Sequence, residues 1–110
     1  MSLLVVGALH WDVVVRAPRL PELDETLHGQ EVAYQFGGKG GNQAIAAAKA
    51  GVPVNFAGRI GTDAAGASML KQLEMAGINV SQLQRGAGSS GMSVAITTEG
   101  GDYGAVIVSA

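Results

Sequence analysis

The sequence contains no cysteine among its 110 residues, which excludes disulfides and thiolate metal sites. Its two histidines, His10 and His28, are too few and too far apart for a metal-binding motif. Charge is scarce as well: 15% of residues are charged and the formal net charge is −2. A nucleic-acid surface needs clustered Lys and Arg, so no nucleic-acid partner is expected. No apolar run reaches the roughly 18 residues needed to span a bilayer. No charged segment followed by an apolar stretch opens the chain. No membrane partner is therefore expected, and the expected location is cytoplasmic. What the chain does have is 17 glycines and 47% hydrophobic residues. The hydrophobic share suffices for a packed core, and the length fits one domain or part of one.

The glycines concentrate in Gly37-Gly38-Lys39-Gly40-Gly41-Asn42, just before an alanine-rich run. Glycine lets backbone approach a ligand closely and adopt positive φ. A helix starting there presents free N–H groups and a partly positive end. Lys39 adds a point charge, and the Asn42 amide both donates and accepts. Such a site suits a polyhydroxylated or anionic small molecule. Taken alone, such a stretch reads more readily as a tight strand-to-helix turn with no ligand.

The rest of the chain sorts by hydrophobic pattern. Leu3 to Gly7 reads as a strand buried on both faces of a parallel sheet. His10, Trp11 and Asp12 lie at its polar exit, and 13–16 is a second strand, ended by Pro18 and Pro21. Residues 26–36 alternate loosely and read as an antiparallel strand. The alanines predict a helix over 41–50, capped by Gly51. A strand over 54–61 follows, then a helix over 64–76 starting at Asp63 and stopped by Gly77. Residues 78–80 form a brief edge strand, and 82–91 are polar and glycine-rich. Residues 92–98 and 103–108 form a hairpin about the turn 99–102. The expected fold is α/β: a parallel sheet flanked by helices, with a small antiparallel layer built from about 13–36 and 92–108.

Two motifs mislead. Gly86-Ala87-Gly88-Ser89-Ser90-Gly91 matches G-x-G-x-x-G, but a β-rich run follows it where a dinucleotide site needs a helix. Gly38-Lys39 has Gly40 where a phosphate-binding P-loop needs Ser or Thr.

Together, Gly37 to Asn42 with Ala44, Gly51 and Gly61, Gly7-x-x-His10-x-Asp12, and Gly58-Arg59-Ile60-Gly61-x-Asp63-x-x-Gly66 resemble the ribokinase (pfkB-type) family of carbohydrate kinases. The resemblance runs from about Leu4 to Val108. It implies a ribokinase-like fold, with residues 1–110 as the N-terminal, sugar-recognition part of the kinase domain. It also implies that Asp12 accepts hydrogen bonds from substrate hydroxyls, with His10 beside it. Gly38 and Lys39 would contact the sugar, and Asn42 would bind a further hydroxyl. The alternating strands would form a lid over the sugar, and two lids would clasp into a homodimer. ATP and Mg²⁺ would be the cofactors, although no metal ligand is identifiable.

Two departures qualify the resemblance. Ribokinases that take ribose typically carry asparagine where this chain has His10, which leaves a nucleoside or another sugar open as substrate. The family's catalytic base lies in a C-terminal Gly-Ala-Gly-Asp motif, and Gly86-Ala87-Gly88-Ser89 is not that motif, since it lacks the aspartate and stands at the wrong position. No catalytic residue is therefore expected in this chain. The leading expectation is ATP-dependent phosphorylation of a sugar or nucleoside hydroxyl, this chain carrying the substrate-binding part. The alternatives are a non-catalytic sugar- or nucleoside-binding module and a plain α/β interaction domain.

Overall fold

Three parallel strands, β1 (Leu3–Val6), β4 (Val54–Gly61) and β5 (Asn79–Gly86), form one sheet in the order β1-β4-β5 in the computed structural model, which describes residues 2–110. The helices α1 (Lys39–Lys49) and α2 (Ala64–Met75) make the crossovers between neighbouring strands. Val5, Phe56 and Ile60 point to the face that meets Ala44 of α1 and Met69 and Leu73 of α2. Phe56, Ile60, Met69 and Leu73 are fully buried. Burial of each such side chain stabilises by roughly 1.5–3 kcal/mol relative to exposure. Alternation along β4 then leaves Arg59 on the opposite face, where no helix of this chain packs.

That bare face corrects the expectation for the first strand. Only Val5 of β1 is buried, while Leu4 is 59% and Val6 73% exposed. The run is apolar throughout, but both helices of this chain cover the same side of the sheet.

The second sheet stands apart as a four-stranded layer in the order β3-β2-β6-β7, as expected of a lid. Its strands are β2 (His10–Ala17), β3 (Glu31–Gly37), β6 (Met92–Thr98) and β7 (Tyr103–Val108). The pairs β2–β3 and β6–β7 are antiparallel, but the central pair β2–β6 is parallel. The reason is connectivity. β2 follows β1 and β6 follows β5, so both leave the same end of the parallel sheet and run outward together. Each is then returned by its own hairpin. The turn beyond β6 closes with Gly101 N–H donating to the Thr98 carbonyl at 3.1 Å, Gly101 having φ 86°.

Register sorts the lid into two faces. Tyr34, Val13, Val94 and Val106 form one cross-strand row, and Val32, Val15 and Ile96 form the next. The other face carries Gln35, Asp12 and Ser93 in one row, and Ala33, Val14 and Ala95 in the next. Arg16 and Glu31 pair across this second face at 3.4 Å, both more than half exposed, so the pair contributes little.

Several boundaries differ from the sequence-based expectations. β2 begins at His10, so Asp12 is a strand residue and not part of a strand exit. β3 is limited to 31–37. α1 begins at Lys39, two residues early, because its first turn is glycine and invisible to propensity. β5 runs on to Gly86 through the polar segment, since its open face tolerates Gln82 and Gln84, while Arg85 lies beside the exposed residues of α2.

Candidate functional site

The site region forms where the body and the lid meet, around the chain leaving β1. Leu9 is buried and anchors that crossing to the core. The first turn of α1 rests directly on it: Gly41 N–H donates to the Ala8 carbonyl at 3.2 Å. Gly38 is the N-cap residue of α1 and has φ 93°. A Cβ there would also come within 2.5 Å of the Ala8 carbonyl oxygen. Positive φ and close approach thus both require glycine at this position. The N–H groups of Lys39 and Gly40 find no acceptor among the described residues, whereas Asn42 N–H donates to the Gly38 carbonyl at 2.9 Å. A helix end of this kind favours negative or oxygen-rich groups.

Asp12 and His10 lie on one face of β2, against Gly37 of β3. His10 is the cross-strand partner of Gly37, and Asp12 is the partner of Gln35. A Cβ at Gly37 would overlap Asp12 Oδ2, so the carboxylate lies over a residue that has no side chain to offer it. Asp12 is half-buried, and its side chain has no hydrogen-bond partner among the described residues. A carboxylate is acceptor-only when ionised, and partial burial without donors is unfavourable. Hydroxyl groups from outside the protein would relieve that cost.

His10 packs edge-on to Gly91, where a Cβ would sit 2.7 Å from its Cδ2 atom. It also lines a cleft of about 260 Å³ with Gly7, Ala8, Leu9, Arg59, Ser109 and Ala110. The structure therefore brings His10, Asp12 and Gly37 together, with Gly38 the next residue in the chain. Lys39 and Asn42, three residues apart, share a side of the first turn of α1. Both are exposed, and neither side chain hydrogen-bonds to Asp12 or His10.

Three contributors escaped the sequence reading. Gly37 was noticed as part of a flexible stretch, but not as the floor beneath Asp12. Ser90 and Gly91 lay in the rejected glycine-rich motif. Ser90 is 2% exposed and bonded to Asp63, which starts α2 as expected: Asp63 Oδ1 accepts from Gly66 N–H at 2.9 Å and from the Ser90 hydroxyl at 2.6 Å. The Ser90 hydroxyl, with the Ser90 and Gly66 amides, holds the Asp63 carboxyl below its ordinary range. A Ser-rich turn gives no hint of a partner 27 residues away.

A parallel sheet with helical crossovers, an outlying lid and a glycine-capped helix at their junction define a sugar-kinase type of architecture. The sequence matches the profile described as pfkB family carbohydrate kinase over residues 1–110. The chain belongs to the pfkB family of carbohydrate kinases. It is 34% identical over 109 residues to the ribokinase of Schizosaccharomyces pombe, a match covering 93% of this chain and 34% of that protein. The structure of Arabidopsis thaliana ribokinase complexed with ribose and ATP superposes with a TM-score of 0.91 at 32% identity. That match covers 97% of this chain and 35% of the other. Ribokinase from Cryptococcus neoformans in complex with ADP gives a TM-score of 0.83 at 30% identity, covering 97% and 34% of the two chains. The chain thus spans about a third of the length of the relatives it matches.

Proposed function

We propose that this chain is the acceptor-binding part of an ATP-dependent kinase that phosphorylates a hydroxyl of a sugar or nucleoside in the cytoplasm. The observation that carries this reading is Asp12. It is an acid half-buried on the inner lid face, without a protein donor, above a glycine and next to a glycine-capped helix end. Its carboxylate would accept two acceptor hydroxyls, fixing the ring. Gly38 would let the backbone meet the sugar, and Lys39, Asn42 and His10 would supply further polar contacts. Similarity to a ribokinase solved with ribose and ATP supports the substrate class.

ATP supplies the phosphoryl group when bound. Phosphoryl transfer depends mainly on positioning and charge stabilisation, and this chain's contribution is positioning. The acceptor oxygen forms its bond to phosphorus as the bond to the leaving diphosphate breaks. The hydroxyl proton passes to a base that lies outside these residues. The lid excludes water, which would otherwise compete as acceptor. Mg²⁺ accompanies ATP in such reactions. Among the described residues no three His, Asp or Glu side chains gather in one place, so none is assigned to it.

Asp12→Ala in the full-length protein should weaken acceptor binding by about 2–4 kcal/mol, the loss of charge-assisted hydrogen bonds to two hydroxyls. Thermal stability should hardly change. Unchanged acceptor KM and kcat would refute the assignment. The second reading is a non-catalytic sugar- or nucleoside-binding module. Formation of a phosphorylated product by the full-length protein separates the two.

The same reading includes a homodimer through the outer lid face. Tyr34 is 63% and Val106 69% exposed there, with nothing among the described residues covering them. Val32 and Val94 share this face with them. Val14 lies on the Asp12 side and takes no part.

A further inference from the structure

Asp63 does more than cap α2. A cap needs one carboxylate oxygen, and Oδ1 serves Gly66 N–H in that way. Oδ2 is used elsewhere: it accepts from Ser90 N–H at 2.9 Å. The Ser90 hydroxyl donates to Oδ1 and accepts from Gly61 N–H at 2.9 Å. Each side-chain oxygen of the pair is therefore engaged within the protein. Around it the backbones are pressed together. A Cβ on Gly61 would overlap the Gly88 carbonyl, and one on Gly66 would overlap the Gly61 carbonyl. The loop entering β6 is thus clamped to the turn between β4 and α2.

The clamp reaches the site in one further residue. Gly91 follows Ser90 and lies against the His10 ring. Its carbonyl accepts from Trp11 N–H at 2.9 Å, and Trp11 precedes Asp12. Among the described residues, the bonds of Ser90 to Gly61 and Asp63 are the only side-chain hydrogen bonds tying the lid's entry strands to the body. From this geometry we infer that Asp63 and Ser90 are positioning residues, holding the roots of β6 and β2 so that His10 and Asp12 face the acceptor. The inference rests on the acceptor-binding role proposed above.

The test uses two variants of the full-length protein. Ser90→Ala removes the hydroxyl bonds, and Asp63→Ser keeps a good helix cap but cannot reach Ser90. Both should raise the acceptor KM about tenfold, the scale of one lost hydrogen bond to a charged group, with kcat and the ATP KM within about twofold. Amide hydrogen exchange without substrate should quicken about tenfold in 86–98 while α2 keeps its protection. Unchanged acceptor KM with unchanged exchange at 86–98 would overturn the inference. So would a parallel loss of Tm, ATP affinity and acceptor affinity, which would mark a generally structural role. If the wild-type protein phosphorylates none of a panel of pentoses, hexoses and nucleosides, the kinase reading fails. The exchange measurement still decides whether the clamp holds the lid.

Discussion

The body and the lid are both sheets, yet they bury their apolar residues in opposite ways. In the body, α1 and α2 cover one face, and Phe56, Ile60, Met69 and Leu73 lose all contact with solvent. In the lid the helices reach only Trp11 and Phe36 at the base of the outer face, and Tyr34, Val94 and Val106 remain open to solvent. The body therefore gains most of the hydrophobic stabilisation. The lid is one layer thick, held by backbone pairing and by its roots. Elements with few buried contacts open at low free-energy cost, which is what a binding lid needs. On the proposed reading, the difference places substrate recognition on the weaker unit and anchors it from the stronger one.

The largest expected effect lies in the body. Phe56→Ala should destabilise the full-length protein by about 3–5 kcal/mol in denaturant unfolding. Val94→Ala in the lid should change stability by less than about 0.5 kcal/mol in the monomer. Comparable costs would erase the distinction between the units.

Next comes the junction. Gly38→Val puts a β-branched residue at φ 93°, against the Ala8 carbonyl. Backbone strain of about 1–3 kcal/mol follows, with the steric overlap in addition. Acceptor binding should be abolished while ATP binding stays measurable by calorimetry. A variant that folds and phosphorylates normally would reduce the stretch to a turn.

A smaller effect is expected on the outer lid face. Val106→Asp should convert a dimer to a monomer in sedimentation velocity, with the monomer's fold intact. A wild-type protein that sediments as a monomer at every accessible concentration would leave that face without its proposed partner.

The smallest effect concerns pH. The Asp63 carboxyl is held below its ordinary range, so the folded protein binds its proton more weakly than the unfolded chain does. The resulting stability is fully present above about pH 4, the usual aspartate value, and is lost as pH falls through the lowered folded value. Asp63→Asn should flatten the acid limb of a Tm-versus-pH curve. An acid limb identical to the wild type would remove Asp63 as a cause of acid sensitivity.

What the sequence disclosed follows the same division. α2 was legible because Asp63 caps it, Gly77 stops it and its apolar residues repeat at helical spacing. The start of α1 was hidden because Gly40 and Gly41 carry no helix propensity, although packing on the chain after β1 overrides that deficit. The extent of β5 was hidden because Gln82 and Gln84 face an uncovered side. The parallel pairing of β2 with β6 had no local signature, since strand direction follows from where each leaves the body. In the site, His10, Asp12 and the Gly37–Asn42 stretch stood out by residue type and spacing. Ser90 did not, because a buried serine in a glycine-rich loop is defined only by its distant partner.

The central claim is that the lid's inner face and the start of α1 receive the acceptor together while the body serves as a fixed support. Amide hydrogen exchange of the full-length protein tests it most directly, with and without the pentose, hexose or nucleoside that supports ADP release. The account predicts added protection in 10–17, 37–42 and 92–98, with exchange in 54–60 and 66–75 unchanged. Protection confined to the body strands, with none in β2 or at 37–42 while product forms, would contradict it.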